Sequence, residues 1–95
     1  MIELKSTEQM RRAIENARAN RKHLVVRMTN VARQYIVFNK NTNGSYLTSF
    51  DRKDGKRYGS CTCKAGQLNR ICKHIAAAAA LNICLAERGY FSRMN

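Results

Sequence analysis

The sequence predicts an α+β fold in which an N-terminal helix and a C-terminal helix flank a small antiparallel β-meander. Three observations predict it. A helical stripe of apolar residues lies near the start of the chain, alternating residues with two turn signals occupy 33–61, and an alanine-rich run follows residue 71. The 95 residues have the length of one small domain, and 44% of them are apolar, so a hydrophobic core is expected.

The first helix is predicted over residues 6–21. Ser6 and Gln9 have the spacing of a capping box, which satisfies free N–H groups at a helix start. One stripe along the helix carries the apolar side chains Met10, Ala13, Ile14 and Ala17. Residues 24–28, Leu-Val-Val-Arg-Met, then have the composition of a short strand.

Residues 33–61 predict an antiparallel meander of three strands. In the first strand, 33–39, alternation places Tyr35 and Val37 on the face opposite to Ile36. The turn signals are Asn43-Gly44 and Asp54-Gly55, because Asn, Asp and Gly tolerate positive φ. The other two strands are predicted over 45–51, with Tyr46, Thr48 and Phe50 on one face, and over 56–61.

The last element is a helix that is predicted to begin at about Ile71, after a loop over residues 64–70. Alanine has the highest intrinsic helix propensity, and it fills the run from Ala76 to Ala80. Gly89 suits the position just past the helix end. We interpret the alanines as packing residues, because small side chains allow the helix to lie close against the sheet.

Two short motifs, Cys61-Thr62-Cys63 and Cys72-Lys73-His74, are separated by eight residues. In an extended strand residues i and i+2 point to the same side, so both cysteines of the first motif can reach one ion. Cys72 and His74 can reach the same ion if Cys72 lies at the start of the helix and His74 in its first turn. Asn69 is predicted to cap that helix start.

Three thiolates and one imidazole form a closed tetrahedral ligand set that suits structural zinc. The sequence therefore predicts one structural Zn²⁺ held by Cys61, Cys63, Cys72 and His74. Since the protein occupies all four positions, no place is left for an activated water, which argues against zinc catalysis. The alternatives are a redox pair of Cys61 and Cys63, or ordinary core cysteines beside a surface histidine. Cys84 lies too far beyond His74 to bind the same ion and is interpreted as a buried small hydrophobic residue, with a reactive thiol as the alternative.

The pattern C-x-C-x8-C-x-H, preceded by aromatic-containing strands and followed by an apolar helix, resembles the SWIM-type zinc finger. The resemblance covers roughly residues 33–87, and Cys72-Lys73-His74-Ile75-Ala76 fits the C-K-H-hydrophobic-hydrophobic form often seen in that family. It implies a ββα-like fold around one zinc and a function in DNA binding, protein binding or both. Family members are found beside transposases, helicase-like ATPases, ubiquitin ligases and recombination factors.

With this resemblance, the predicted single domain of residues 1–95 has three parts. Residues 1–32 hold the first helix and the short strand, 33–87 the finger, and 88–95 a C-terminal tail. No ATPase or transposase sequence accompanies the motif in these residues. We therefore expect a freestanding small protein with a regulatory or accessory role, of a kind that would suit a virus or a mobile element.

The charge balance predicts a polyanionic partner. Lys and Arg number 18 against 6 Asp and Glu, which gives a net charge of +12 at pH 7. Nucleic acid is the expected partner, with DNA favoured, although the same charges could serve solubility alone. The predicted nucleic-acid-binding residues flank the Asp54-Gly55 turn or the metal ligands, and they are Arg52, Lys53, Lys56, Arg57, Lys64, Arg70 and Lys73. The tyrosines of the meander have two interpretations, as platforms for single-stranded bases or as half-buried sheet residues: Tyr35, Tyr46 and Tyr58.

A second function class is a zinc-stabilised protein–protein interaction module that binds an acidic partner through the first helix or the sheet. An enzyme is not expected, because one of the two histidines is assigned to zinc and the six acids form no obvious pair. The sequence has no secretory signal at its start, and no apolar run approaches the roughly 18 residues that span a bilayer. We therefore expect an intracellular protein, in the cytoplasm, nucleoid or nucleus, without a membrane partner.

Overall fold

The computed structural model describes residues 1–5 and 7–89, which form a five-stranded antiparallel sheet with helices on one face. The strands are β1 Ile2–Glu3, β2 Leu24–Met28, β3 Gln34–Asn39, β4 Gly44–Lys53 and β5 Lys56–Cys61. The helices are α1 Glu8–Ala19, the short α2 Lys64–Gln67 and α3 Lys73–Glu87. The strand order is β1-β5-β4-β3-β2. α3 packs across the sheet and α1 packs against α3, so the predicted α+β fold is confirmed.

α1 is shorter at both ends than the predicted helix. Its N-cap is Thr7, whose hydroxyl accepts a hydrogen bond from the backbone N–H of Met10 at 3.2 Å. The predicted cap, Ser6, lies outside the described residues, and the helix begins at Glu8. Ala13, on the predicted apolar stripe, is buried in the core, so the stripe identifies the packed side of the helix correctly.

The three strands of the meander form as predicted, and alternation decides which side faces α3. We call the side facing α3 the inner face and the opposite side the outer face. Tyr35 and Val37 are almost completely buried on the inner face, whereas Ile36 between them is exposed on the outer face. Asp54 and Gly55 both have positive φ, 54° and 77°, which is the signature of a two-residue type I′ hairpin.

Two edge strands extend the sheet beyond the predicted meander. β2 pairs with β3 from Leu24, opposite Asn39, to Met28, opposite Tyr35. β1 pairs with β5 through only two residues, Ile2 and Glu3, and so short a strand leaves no alternation for the sequence to show. No helix among the described residues is both long and apolar enough to cross a membrane.

The segment before α3 differs from the prediction. Residues 64–70 were expected to form a loop, but they contain the one-turn helix α2. Asn69 does not cap α3; it has a φ of 57° one residue after the C-cap Leu68 and thereby ends α2. The N-cap of α3 is Cys72, so a predicted metal ligand occupies the position that the sequence assigned to asparagine.

α3 lies close to the sheet because its inner side consists of small residues. Ala78 and Ile75 are completely buried, and the Tyr35 hydroxyl donates a hydrogen bond to Asn82 Oδ1 at 2.8 Å. The Tyr35 ring also meets Phe50 edge-on, with 5.9 Å between ring centroids. The interpretation of the alanines as packing residues is therefore confirmed.

Candidate metal centre

Four predicted ligands converge where β5 ends and α2 and α3 begin. Cys61 is the last residue of β5, Cys63 is the N-cap of α2, Cys72 is the N-cap of α3, and His74 is the second residue of α3. All four side chains are buried, and their ligand atoms lie within 4.8 Å of one another. The predicted placement of Cys72 at the helix start and His74 in the first turn is confirmed.

The turn between Cys61 and Cys72 is held in a tight conformation by glycine and by hydrogen bonds. A Cβ atom added at Gly66 would lie 2.1 Å from the backbone oxygen of Cys61, so only glycine fits there. The backbone N–H of Gly66 donates to Cys63 Sγ at 3.3 Å, and Gln67 Nε2 donates to the Thr62 oxygen at 3.0 Å. The first contact orients the sulfur of Cys63, and the second holds the turn that carries it. No sequence motif indicates this role of Gly66, because it depends on a contact with Cys61 in space.

The His74 ring lies between the cysteines and an aromatic side chain. Its Nδ1 is 3.9 Å from Cys61 Sγ, and Tyr46 stacks on the ring with 4.2 Å between centroids at 28°. Tyr46 in turn lies over Gly44, where an added Cβ would approach the tyrosine hydroxyl to 2.7 Å. His74 Nε2 is buried without a hydrogen-bond partner among the described residues, which is unusual for an ordinary core histidine.

The surroundings of Cys72 favour its thiolate form. The pKa of the Cys72 thiol is lowered to about 4, chiefly because the Cys61 thiol hydrogen-bonds to its sulfur. His74 and the backbone N–H of Ile75 lower the pKa of Cys72 further, whereas burial opposes them. The pKa of Cys61 is raised by the same hydrogen bond and by burial. Placing negative charge on all three buried sulfurs requires a compensating cation.

The geometry and the donor types fit zinc. Tetrahedral Zn²⁺ binds sulfur at about 2.3 Å and nitrogen at about 2.0 Å, so its ligand atoms are separated by about 3.5–3.8 Å. The ligand atoms of this cluster therefore need to move together by about 1 Å at most. Three thiolates and one imidazole are a common structural zinc set, and they leave no coordination position open.

Residues 55–82 match the family model of the SWIM zinc finger. This segment is a SWIM zinc finger. No curated protein and no solved structure matches the chain. The match confirms the predicted family within the segment of 33–87 that the resemblance covered. The SWIM finger carries one structural Zn²⁺, held by Cys61, Cys63, Cys72 and His74. These four residues therefore form neither a redox pair nor an ordinary patch of core cysteines beside a surface histidine.

Residues outside the ligand set contribute to the SWIM finger. Tyr46 lies in β4, outside residues 55–82, yet it covers the metal-binding histidine. Alternation had placed Tyr46 on the same face as Thr48 and Phe50, which identified its side of the sheet but not its neighbour. Cys84 is absent from the cluster, as expected, but it is half-buried on α3 rather than buried as predicted.

The structure separates the predicted nucleic-acid-binding residues into two groups. One group surrounds the Asp54-Gly55 turn, where Arg52 and Arg57 pair on the inner face and Lys53 and Lys56 pair on the outer face. The other group adjoins the zinc ligands and consists of Lys64, Arg70 and Lys73. The six residues of β5 lie between the groups, a distance of about 20 Å. The seven residues therefore do not form one cluster.

Two of the three tyrosines of the meander make contacts inside the fold. Tyr35 is buried and hydrogen-bonded to Asn82, and Tyr46 is stacked on His74. Tyr58 is half-buried on the outer face beside β1. The interpretation as half-buried sheet residues is therefore confirmed for Tyr46 and Tyr58, whereas Tyr35 is buried completely.

Proposed function

We propose that this protein binds nucleic acid, with DNA favoured, and that its zinc finger serves a structural and accessory role rather than a catalytic one. The observation that supports this most directly is the charge around the finger. No Asp or Glu lies between residues 55 and 86, and Lys64, Arg70 and Lys73 adjoin the zinc ligands. Zinc adds two charges and three thiolates remove three, so the net charge changes only from +12 to +11.

Zinc and charge have separate tasks in this proposal. A closed Cys₃His site has no open position for an activated water, so the ion supplies stability and a fixed backbone. Exposed Lys and Arg on that fixed backbone contact phosphates and release counterions, which gives affinity without sequence readout.

The experiment measures binding of the zinc-loaded protein to labelled duplex DNA, single-stranded DNA and RNA of equal length. Fluorescence anisotropy at 0.1–0.2 M salt gives the slope of log affinity against log salt. Each duplex phosphate contact contributes about −0.9 to this slope. We therefore expect the slope for duplex DNA to be about −3 or steeper. Absence of binding to all three nucleic acids at 0.1 M salt would refute the proposal.

A second candidate function is a protein-binding module, and the outer face of the sheet favours it. Ile36 and Leu47 are directly paired there and are 43% and 37% exposed, and Val25 pairs with Phe38 beside them. Other positions on this face carry Arg27, Lys53 and Lys56, so the fitting partner is an acidic protein with an apolar contact surface.

The two functions are separated by a pulldown from host lysate with and without nuclease. A partner that is lost with nuclease supports nucleic-acid binding. A partner that is retained with nuclease, but lost when Ile36→Ser and Leu47→Ser are introduced together, supports protein binding through the outer face. The double variant should keep its zinc, because neither side chain contacts the ligand cluster.

A further inference from the structure

One end of the molecule brings together segments that are distant in sequence. β5 ends there in the zinc ligands, and α3 begins there. The turn between α1 and β2, residues 20–23, reaches the same end, since Leu24 pairs with Asn39. The turn between β3 and β4 adjoins it, because the backbone N–H of Lys40 donates to the His23 oxygen at 2.7 Å. We call this region the zinc end and the opposite region, around the Asp54-Gly55 turn, the hairpin end.

The zinc end holds seven basic residues and no acid among the described residues. Six of the seven side chains are exposed and Lys73 is half-buried. They are Arg18, Arg21, Lys22, Lys40, Lys64, Arg70 and Lys73, and together we call them the zinc-end surface.

All six acids of the chain lie elsewhere. Asp54 is part of the hairpin turn, and Asp51 lies in β4 shortly before it. Glu87 is the last residue of α3, at the hairpin end. Glu3 pairs with Lys5, while Glu8 and Glu15 pair with arginines of α1. The hairpin-end cations are therefore interspersed with acids, whereas the zinc-end cations are not.

The basic residues at the end of α1 lie next to the basic residue at the start of α3. α1 and α3 run antiparallel, because the groove between them is lined by Arg18 and Arg21 together with Ala77 and Ala80 in the first half of α3. Lys73 lies one helical turn before Ala77, on the same side of α3. Arg18, Arg21 and Lys73 therefore border one continuous strip of surface.

No zinc-end side chain has an ion-pair partner within residues 1–5 and 7–89, in contrast to Arg11 and Arg12 near the start of α1. Like charges at close range repel one another, so this arrangement costs stability unless an anion is bound. Among the described residues of the zinc end, Tyr46 is half-buried and stacked on His74, and Phe38 is half-buried in the sheet, so neither is a fully exposed platform on which single-stranded bases would stack.

We propose that the zinc-end surface is the nucleic-acid interface, and that its ligand is the phosphate backbone of duplex DNA. This inference rests on the proposed function and specifies which surface of the protein binds the nucleic acid. The interface joins the C-terminal end of α1 and the β3–β4 turn to the zinc finger, so it extends well beyond residues 55–82. The hairpin turn, about 20 Å away along β5, lies outside it.

The chain offers two matched sets of four residues for the test. The zinc-end set is Arg18, Arg21, Lys22 and Lys40, and the hairpin set is Arg52, Lys53, Lys56 and Arg57. Each set contains two Arg and two Lys, and neither contains or adjoins in sequence a zinc ligand. Replacing each set by Gln removes four charges from the same protein, so only position distinguishes the two variants.

Duplex binding is measured by anisotropy across 0.05–0.2 M salt. We expect the zinc-end variant to lose at least about 100-fold in affinity at 0.1 M, with the salt slope reduced by up to about 3.6, or 0.9 for each lost contact. The hairpin variant should change the slope by less than about 1. Zinc content and melting temperature show that both variants are folded.

Four other results would overturn the location of the interface, the assignment of duplex DNA or the proposed function. An equal or larger effect of the hairpin variant overturns the location of the interface, and so does an unchanged affinity in the zinc-end variant. If the unmodified protein binds single strands more tightly than duplex, and the zinc-end variant weakens both equally, the assignment of duplex is overturned. If the unmodified protein binds no nucleic acid, the proposed function itself fails.

Discussion

At the residue scale, the zinc site depends on side chains and backbone positions that are not ligands. Tyr46 covers one side of the His74 ring, and Gly66 allows α2 to approach Cys61. Residues that orient a ligand influence metal affinity strongly, because the ligand otherwise samples orientations that do not bind.

Replacing Tyr46 by Ala should therefore weaken zinc binding by about 10-fold or more. The variant loses the stacked ring and opens space beside His74, so the imidazole is less well oriented. Competition with a chromophoric chelator measures the affinity. Tyr46→Phe keeps the ring and should remain within a few-fold of the unmodified protein; equal losses in both variants would show that stacking is not the cause.

Replacing Gly66 by Ala should disrupt the turn between the cysteines, because the new Cβ would lie 2.1 Å from the Cys61 oxygen. We expect a large loss of zinc affinity together with a lower melting temperature. Gly55→Ala is the control, since its φ is 77° but nothing lies within 4 Å of the added atom. The control should lose about 1–2 kcal/mol of stability and keep its zinc affinity. Similar affinities in the two variants would contradict this account of Gly66.

At the element scale, α3 connects the zinc site to the core of the sheet. Cys72 is the N-cap of α3, and His74 lies in its first turn. The next residue, Ile75, is completely buried. The helix contacts four strands, β2 to β5, as well as α1. Its position therefore depends on the zinc ligands at its start and on apolar packing along the rest of its length.

Ile75→Ala should lower the free energy of unfolding of the zinc-loaded protein by about 2–5 kcal/mol, because it leaves a cavity under α3. Urea denaturation followed by circular dichroism measures this. Ile83→Ala is the matched control, since it makes the same substitution in the same helix at a side chain that is 40% exposed. Its loss should be smaller than about 1 kcal/mol. Equal losses would mean that burial of Ile75 does not govern the packing of α3.

At the scale of the whole molecule, zinc joins the end of β5 to the starts of α2 and α3. Apparent binding free energies of structural zinc are about 10–16 kcal/mol at neutral pH, whereas small domains have net stabilities of about 5–15 kcal/mol. Loss of the ion therefore removes an amount comparable to the entire stability of the domain.

We expect metal analysis to give one zinc per chain, and chelation to abolish the cooperative thermal transition of the protein. Cys72→Ser should reproduce the effect of chelation, because it removes a zinc ligand while the start of α3 keeps a residue that is well suited to the N-cap position. Cys84→Ser is the control, since Cys84 is absent from the ligand cluster, and it should retain one zinc. A melting profile that is unchanged after removal of the metal would contradict the structural role of zinc.

The sequence by itself determined most of the local elements, apart from β1 and α2, and the zinc ligands. Alternation around Tyr35 and Val37, the Asp54-Gly55 turn, the alanine run and the spacing of Cys61, Cys63, Cys72 and His74 are short-range patterns. Each reflects a backbone preference or a ligand geometry that acts over a few residues, so it can be recognised without neighbours in space.

Only the tertiary structure decided which distant residues meet. The pairing of β1 with β5, the stacking of Tyr46 on His74, and the approach of Gly66 to Cys61 all depend on segments that fold onto one another. The same holds for the segregation of charge, because α1 and the β3–β4 turn bring cations to the zinc end while the acids lie elsewhere. These features arise from packing and long-range pairing, which leave no periodic signal in the chain; the sequence could therefore predict a basic protein but not the location of its basic surface.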